Sequence, residues 1–168
     1  NYAGVTVERK EGVALMPQGR QVFVLDLPGT YSLHAASADE AVTRDVVTGN
    51  SDEPLPDLLI CVADATNLRL SLQLVLQARQ LGLPMLLVLN LSDMLACSGI
   101  RIDHAALARE LGMPVVYAVG VQTDGAREVL AALDQPLPAA PTASATAAGG
   151  AEGVLALQGT SLQVARGE

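Results

Sequence analysis

The chain has no tryptophan and one phenylalanine, and aromatic residues make up 2% of its 168 positions. Any core must therefore be built from leucine, valine, isoleucine and alanine. With two cysteines, Cys61 and Cys97, there is no disulfide framework. Cys61 stands within an apolar run and reads as a small core residue, and a reducing, cytosolic setting suits both thiols. No apolar run is longer than residues 58–63, far short of the roughly 20 residues that span a bilayer. The expectation is a soluble-type chain with no transmembrane segment. Lys10 is the only lysine and the net charge is −8, which excludes an extended nucleic-acid or anionic-membrane surface. A local phosphate site built from backbone N–H groups needs no basic patch and stays open. Half of the residues are apolar and 17% are charged, so wholesale disorder is excluded too.

Composition shifts near Asp134. Beyond it come Gln135, Pro136, Leu137 and Pro138, then an Ala/Thr/Ser/Gly stretch reaching Gly150. That low-complexity segment has no periodic apolar face, so residues 135–168 read as linker or tail, in which 153–165 could add a short strand. The folded unit is expected over residues 1–134. Within it, four apolar runs (residues 22–25, 58–62, 85–89 and 115–117) are continuous rather than alternating, as in strands covered on both faces. Three amphipathic segments lie among them. Thr66 or Asn67 is placed to cap the first, Asp103 the second and Asp124 the third, with Gly82 and Gly112 ending the first two. Alternating strands and helices predict an α/β fold: a doubly wound, mostly parallel sheet with helices on both faces.

Ligands of such sheets bind beyond the carboxyl ends of the strands. Asp26-Leu27-Pro28-Gly29 follows the first run. A carboxylate there suits Mg²⁺, usually through water, and a glycine lets its N–H approach a phosphate oxygen. Alone the pattern is also an ordinary strand-ending turn with Pro28-Gly29 at its corner. Asn90-Leu91-Ser92-Asp93 follows the third run. One carboxylate accepts from both N1–H and the exocyclic amine of guanine, whereas adenine would leave it unpaired. Ser92 or Asp93 acting as a helix cap is the plainer reading. Order and placement join the two signals: each directly follows a strand, metal site before base site, with a strand–helix pair between.

Asn1-Tyr2-Ala3-Gly4-Val5-Thr6-Val7-Glu8-Arg9-Lys10-Glu11-Gly12, then Asp26-Leu27-Pro28-Gly29-Thr30-Tyr31-Ser32-Leu33, then Val62-Ala63-Asp64-Ala65-Thr66-Asn67-Leu68, resemble the GTPase domain of the ferrous iron transport protein B (FeoB) family, over residues 1 to about 134. The resemblance implies a P-loop-GTPase-like fold that binds GTP or GDP with Mg²⁺. It implies a first switch at Gly4, Val5, Thr6, Val7 and Glu8, with the Thr6 hydroxyl and Asp26 on Mg²⁺. A second switch opens at Asp26, Leu27, Pro28 and Gly29. Asn90, Leu91, Ser92 and Asp93 read guanine, supported by Val119, Gly120 and Val121. It implies a parent with helical and membrane domains, at the cytoplasmic face of the inner membrane, whose GTP hydrolysis regulates Fe²⁺ uptake.

No Gly-Lys-Ser or Gly-Lys-Thr occurs in the chain. The phosphate-cradling loop and the first strand are thus expected to be lacking, with nucleotide binding impaired and no side chain assigned to catalysis. In the resembled family that strand lies mid-sheet, between the strands ending at Leu25 and Ala63. Both should then show unpaired edges, with poor solubility as the consequence. A non-catalytic interaction module that keeps the switch surfaces is the alternative reading. His34 and His104 read as surface residues, and Asp39-Glu40 and Asp52-Glu53 as solvated loop pairs.

Overall fold

The computed structural model describes residues 10–27, 29, 33, 38–52, 54–97, 99–140 and 161–167. Gly4, Val5, Thr6, Val7, Glu8, Pro28 and His34 lie outside the described residues.

Strands β1 (Lys10–Leu15) and β2 (Gln21–Leu27) form an antiparallel hairpin. The Met16 N–H donates to the Arg20 carbonyl across its turn, where Gly19 takes a φ of +88° that a side chain would resist. Helix α1 (Ala38–Thr48) follows, so Asp39 and Glu40 lie in a helix rather than in the expected loop. Next come β3 (Leu58–Asp64), α2 (Leu68–Arg79), β4 (Met85–Asn90) and α3 (Ser92–Cys97). Then follow α4 (His104–Leu111), β5 (Val115–Tyr117), α5 (Arg127–Leu133) and β6 (Ser161–Gly167).

The six strands form one sheet in the order β1-β2-β6-β3-β4-β5. β3, β4 and β5 are parallel, and β6 is antiparallel to both β2 and β3, so β2 runs with the parallel set. The expected unpaired edges of β2 and β3 are therefore not found: residues 161–167 pair with both. An edge of free N–H and C=O groups is a strong template for any extended segment within reach.

Two cores explain the continuous apolar runs. Leu59, Cys61 and Ala63 of β3 and Met85, Leu87 and Leu89 of β4 join Val46 and Val47 of α1, Val75 and Ala78 of α2, Leu95 of α3 and Leu111 of α4 on one face. Leu58 and Ile60, with Leu86 and Val88, meet Met16 and Leu133 on the other. Both sides of each strand are thus buried, which removes the polar alternation. Truncating a fully buried leucine here, such as Leu59 or Leu87, costs about 2–5 kcal/mol. On the second face the Arg20 guanidinium donates to the Leu133 carbonyl, capping the C-terminal end of α5 and tying it to the hairpin.

Caps differ from expectation at two helices. Neither Thr66 nor Asn67 caps α2 with its side chain. A 3₁₀ turn over Ala65–Asn67 precedes the helix, and the Asp64 carboxylate accepts there from the Thr66 N–H (2.8 Å) and hydroxyl (2.6 Å). The Asp64 carboxylate, at the strand's last position, thus takes both Thr66 donors. Asp103 caps α4 as expected, accepting from the Ala106 N–H at 2.9 Å, and Gly112 ends it in the left-handed region. Asp124 offers α5 its backbone carbonyl, to the Arg127 N–H, and the N-cap position is Ala126.

Candidate functional site

Parallel strands send their carboxyl ends to one edge, and the polar residues of that edge lie close in space. Asp64, last in β3, is paired in register with Asn90, last in β4. The Gly120 N–H donates to Asn90 Oδ1 at 3.1 Å. The Ser92 hydroxyl donates to the Ala118 carbonyl at 3.2 Å. Between them Leu91 has φ +60°, a conformation that costs a leucine about 1–2 kcal/mol. This turn lets two side chains, two residues apart, both reach the loop after β5.

That loop is closed on itself. The Val119 N–H donates to the Gly125 carbonyl, the Gln122 N–H to the Val119 carbonyl and the Gly125 N–H to the Gln122 carbonyl. A Cβ at Gly125 would overlap the Val119 carbonyl, so only glycine fits the closure. At its base Glu128 accepts from the Tyr117 N–H at 3.0 Å, and the Tyr117 hydroxyl donates to the Ile102 carbonyl at 2.9 Å. Burial raises the Tyr117 pKa above its usual value, and the Glu128 and Asp103 carboxylates push it the same way. His104 packs edge-on against this ring at 5.2 Å. A cavity of about 620 Å³ opens next to the turn, lined by Ser92, Leu95, Ile100, Arg101, Ile102 and Tyr117.

The structure brings together Asn90, Leu91, Ser92, Val119 and Gly120. Asp93 is exposed in the first turn of α3, and Val121 is fully open to solvent. Asp26 and Leu27 close β2 but lie apart from this group. β2 and β4 are separated by three strand spacings, roughly 14 Å. Through Gln163, Asp26 is level with Ile60, four residues before Asp64 and about 13 Å back along the strand. Asp26 is half-buried and paired in register with Lys10. Its carboxylate is a hard oxygen donor of the kind Mg²⁺ accepts, and Mg²⁺ takes only one or two such ligands, keeping water for the rest. The donor chemistry therefore fits, although among the described residues no cluster of three or more His, Cys, Asp or Glu is placed to hold a metal. Sequence reasoning missed Asp64, Gly125 and Glu128 as site-shaping residues. Asp64-x-Thr66 after a strand was a legible capping signal, whereas the closure at Gly125 has no local signature.

A sequence model of the family described as "Ferrous iron transport protein B" matches residues 1–133. The chain belongs to the FeoB family. It is 42% identical over 130 residues to the Fe(2+) transport protein A/Fe(2+) transporter FeoB fusion protein of Porphyromonas gingivalis, covering 77% of this chain and 15% of that protein. To the Fe(2+) transporter FeoB of Escherichia coli K12 it is 40% identical over 135 residues, 80% of this chain and 17% of the transporter. The chain thus spans about a sixth of the FeoB relatives it matches. Among solved structures, the FeoB G-domain of Methanococcus jannaschii superposes with a TM-score of 0.68 at 38% identity, covering 77% of this chain and 80% of that domain. The cytosolic domain of T. maritima FeoB in its GMPPNP form gives 0.67 at 38% identity, covering 77% and 49%. The α/β architecture is that of FeoB G-domains, and no described helix is long and apolar enough to cross a membrane.

Proposed function

We propose that this chain is the guanine-reading part of the GTPase domain of a ferrous iron transporter, at the cytoplasmic face of the membrane that carries its parent. The observation that carries the reading is the Asn90–Gly120 hydrogen bond. It joins the turn after β4 to the loop after β5 and leaves the Asp93 carboxylate exposed beside them. In this reading Asp93 accepts from the two guanine donors, Asn90 holds the loop whose backbone N–H groups meet the base, and Leu91, Ser92, Val119 and Val121 shape its rim. In this reading Asp26 and Leu27, three strand spacings away and about 13 Å back along the strand, belong with Gly29 to the phosphate end of the nucleotide. Asp26, with Thr6, Gly4, Val5, Val7, Glu8 and Pro28 of the switch segments, would take the terminal phosphate and its Mg²⁺. A bound Mg²⁺ would neutralise developing charge on the phosphates. Fe²⁺ is the cargo of the parent.

The sequence offers no Gly-Lys-Ser/Thr for the α- and β-phosphates, and a triphosphate meets a net charge of −8. Binding by this chain alone is therefore weak, and base selection outlasts phosphate affinity. Residues 1–134 form the nucleotide-reading unit; of the expected tail, 135–168, residues 161–167 are β6 of the sheet. Titration with GDP and ADP, followed by the amide NMR signals of Gly120 and Asp93, tests the reading. Shifts with GDP at millimolar concentration and none with ADP support it. Equal shifts with both overturn the base reading, and none with either overturns it in favour of an interaction module without nucleotide.

A further inference from the structure

The cavity beside the turn after β4 has a lining that the nucleotide reading leaves almost unused. Of the residues assigned to the base, Ser92 alone lines it. Its volume of about 620 Å³ is that of a small-molecule pocket. Leu95, Ile100 and Ile102 give it apolar walls, and Ile100 is 57% exposed. A ligand that covers this side chain removes apolar surface from water, which favours binding.

The polar groups of the lining fix what such a ligand must offer. The Ser92 hydroxyl donates to the Ala118 carbonyl, and the Tyr117 hydroxyl donates to the Ile102 carbonyl. A hydroxyl has one proton, so each of these oxygens has only lone pairs left to offer. The ligand has to bring the donor. Arg101 is the charged residue of the lining, and its guanidinium makes no hydrogen bond or ion pair with any described residue. The two carboxylates that act on Tyr117 are engaged elsewhere: Glu128 accepts from the Tyr117 N–H and Asp103 from the Ala106 N–H. Neither lines the cavity. The lining thus combines a planar cation rich in donors with two acceptor oxygens and an apolar wall, and has no anion of its own.

We propose that this cavity binds a small aromatic carboxylic acid whose ring carries an N–H or O–H donor. The carboxylate pairs with Arg101, the ring covers Leu95, Ile100 and Ile102, and the ring donor meets Ser92 Oγ or Tyr117 Oη. The proposal is independent of the nucleotide reading.

Indole-3-acetate, titrated into the full chain without nucleotide and followed by the amide NMR signals of Ile102 and Tyr117, tests it. Half-saturation is expected at about 1 mM, the affinity of a ligand of this size at ordinary efficiency. Indole-3-acetamide, which lacks the charge, should bind at least tenfold more weakly, and 1-methylindole-3-acetate, which lacks the donor, at least threefold. Arg101 is exposed, so Arg101→Gln leaves the fold intact; it should weaken the acid to the level of the acetamide. No shift of the two signals at ten times the expected half-saturation overturns the proposal. So does equal binding of the acid and either analogue, or equal binding of the acid by the chain and by the variant.

Discussion

Asn90 and Gly120 lie 30 residues apart and meet through a 3.1 Å hydrogen bond from the glycine N–H to the asparagine side chain. This bond couples two loops with separate origins, so its loss should be felt in stability and in recognition together. Asn90→Ala is expected to cost about 0.5–1.5 kcal/mol in denaturant unfolding, the net worth of one such bond. It should also abolish the GDP-induced shift of the Gly120 amide. A variant that loses neither would show the bond to be incidental.

Gly125 is expected to tolerate no side chain. Its Cβ would overlap the Val119 carbonyl, so Gly125→Ala must open the loop. Thermal unfolding should show a loss of about 1–3 kcal/mol. Gly12, in β1, has open space where its Cβ would be, so Gly12→Ala serves as the neutral control. Equal effects of the two substitutions would contradict the closure.

Leu91 makes the opposite case. A leucine at φ +60° is strained, and glycine adopts that conformation freely. Leu91→Gly should therefore change stability by less than about 1 kcal/mol, because relief of strain offsets the added freedom of the unfolded chain. The same substitution at buried Leu89, two residues earlier in β4, should cost well over 2 kcal/mol. Urea unfolding of both variants gives the comparison.

Much of this arrangement was legible in the sequence. The runs at residues 58–62 and 85–89 are strands because Leu59 and Ile60, or Leu87 and Val88, face different cores, and burial on both sides leaves a continuous apolar signature; in the run at 22–25, Val22 and Leu25 are buried while Phe23 is exposed. Asp103 and Gly112 bracket α4 through local capping chemistry. Less legible was what depends on tertiary context. α1 has a partly polar surface and is fixed by Val46 and Val47 against the sheet. A short strand was expected within residues 153–165; β6 lies at Ser161–Gly167, and the pairing edges of β2 and β3 set its bounds. The Asn90-x-x-Asp93 spacing was readable and the resemblance named Gly120, but the hydrogen bond that joins Asn90 to Gly120 follows only from β4 and β5 being adjacent.

Cys61 predicts an alkaline limit. Complete burial pushes its thiol from an ordinary value near 9.0 up to about 12. In the unfolded chain the thiol ionises near its ordinary value, so above that pH the native state holds the proton more tightly. Stability is then fully present below about pH 9 and falls between there and about pH 12, by at most about 1.4 kcal/mol per pH unit. Tyr117, whose pKa is also raised, adds to the same trend. Urea unfolding at pH 8 and pH 10 should show this decline, and Cys61→Ala should flatten it. An unchanged slope in the variant would place the alkaline sensitivity elsewhere.

The central claim, that the turn after β4 distinguishes purines by the atoms at their edge, is tested most directly by Asp93→Asn titrated with GDP and XDP beside the unsubstituted chain. The exposed position of Asp93 makes the substitution harmless to the fold. The unsubstituted chain should prefer GDP, and the variant XDP, each by tenfold or more in the concentration that half-shifts the Gly120 amide. A variant that keeps its preference for GDP would contradict the account.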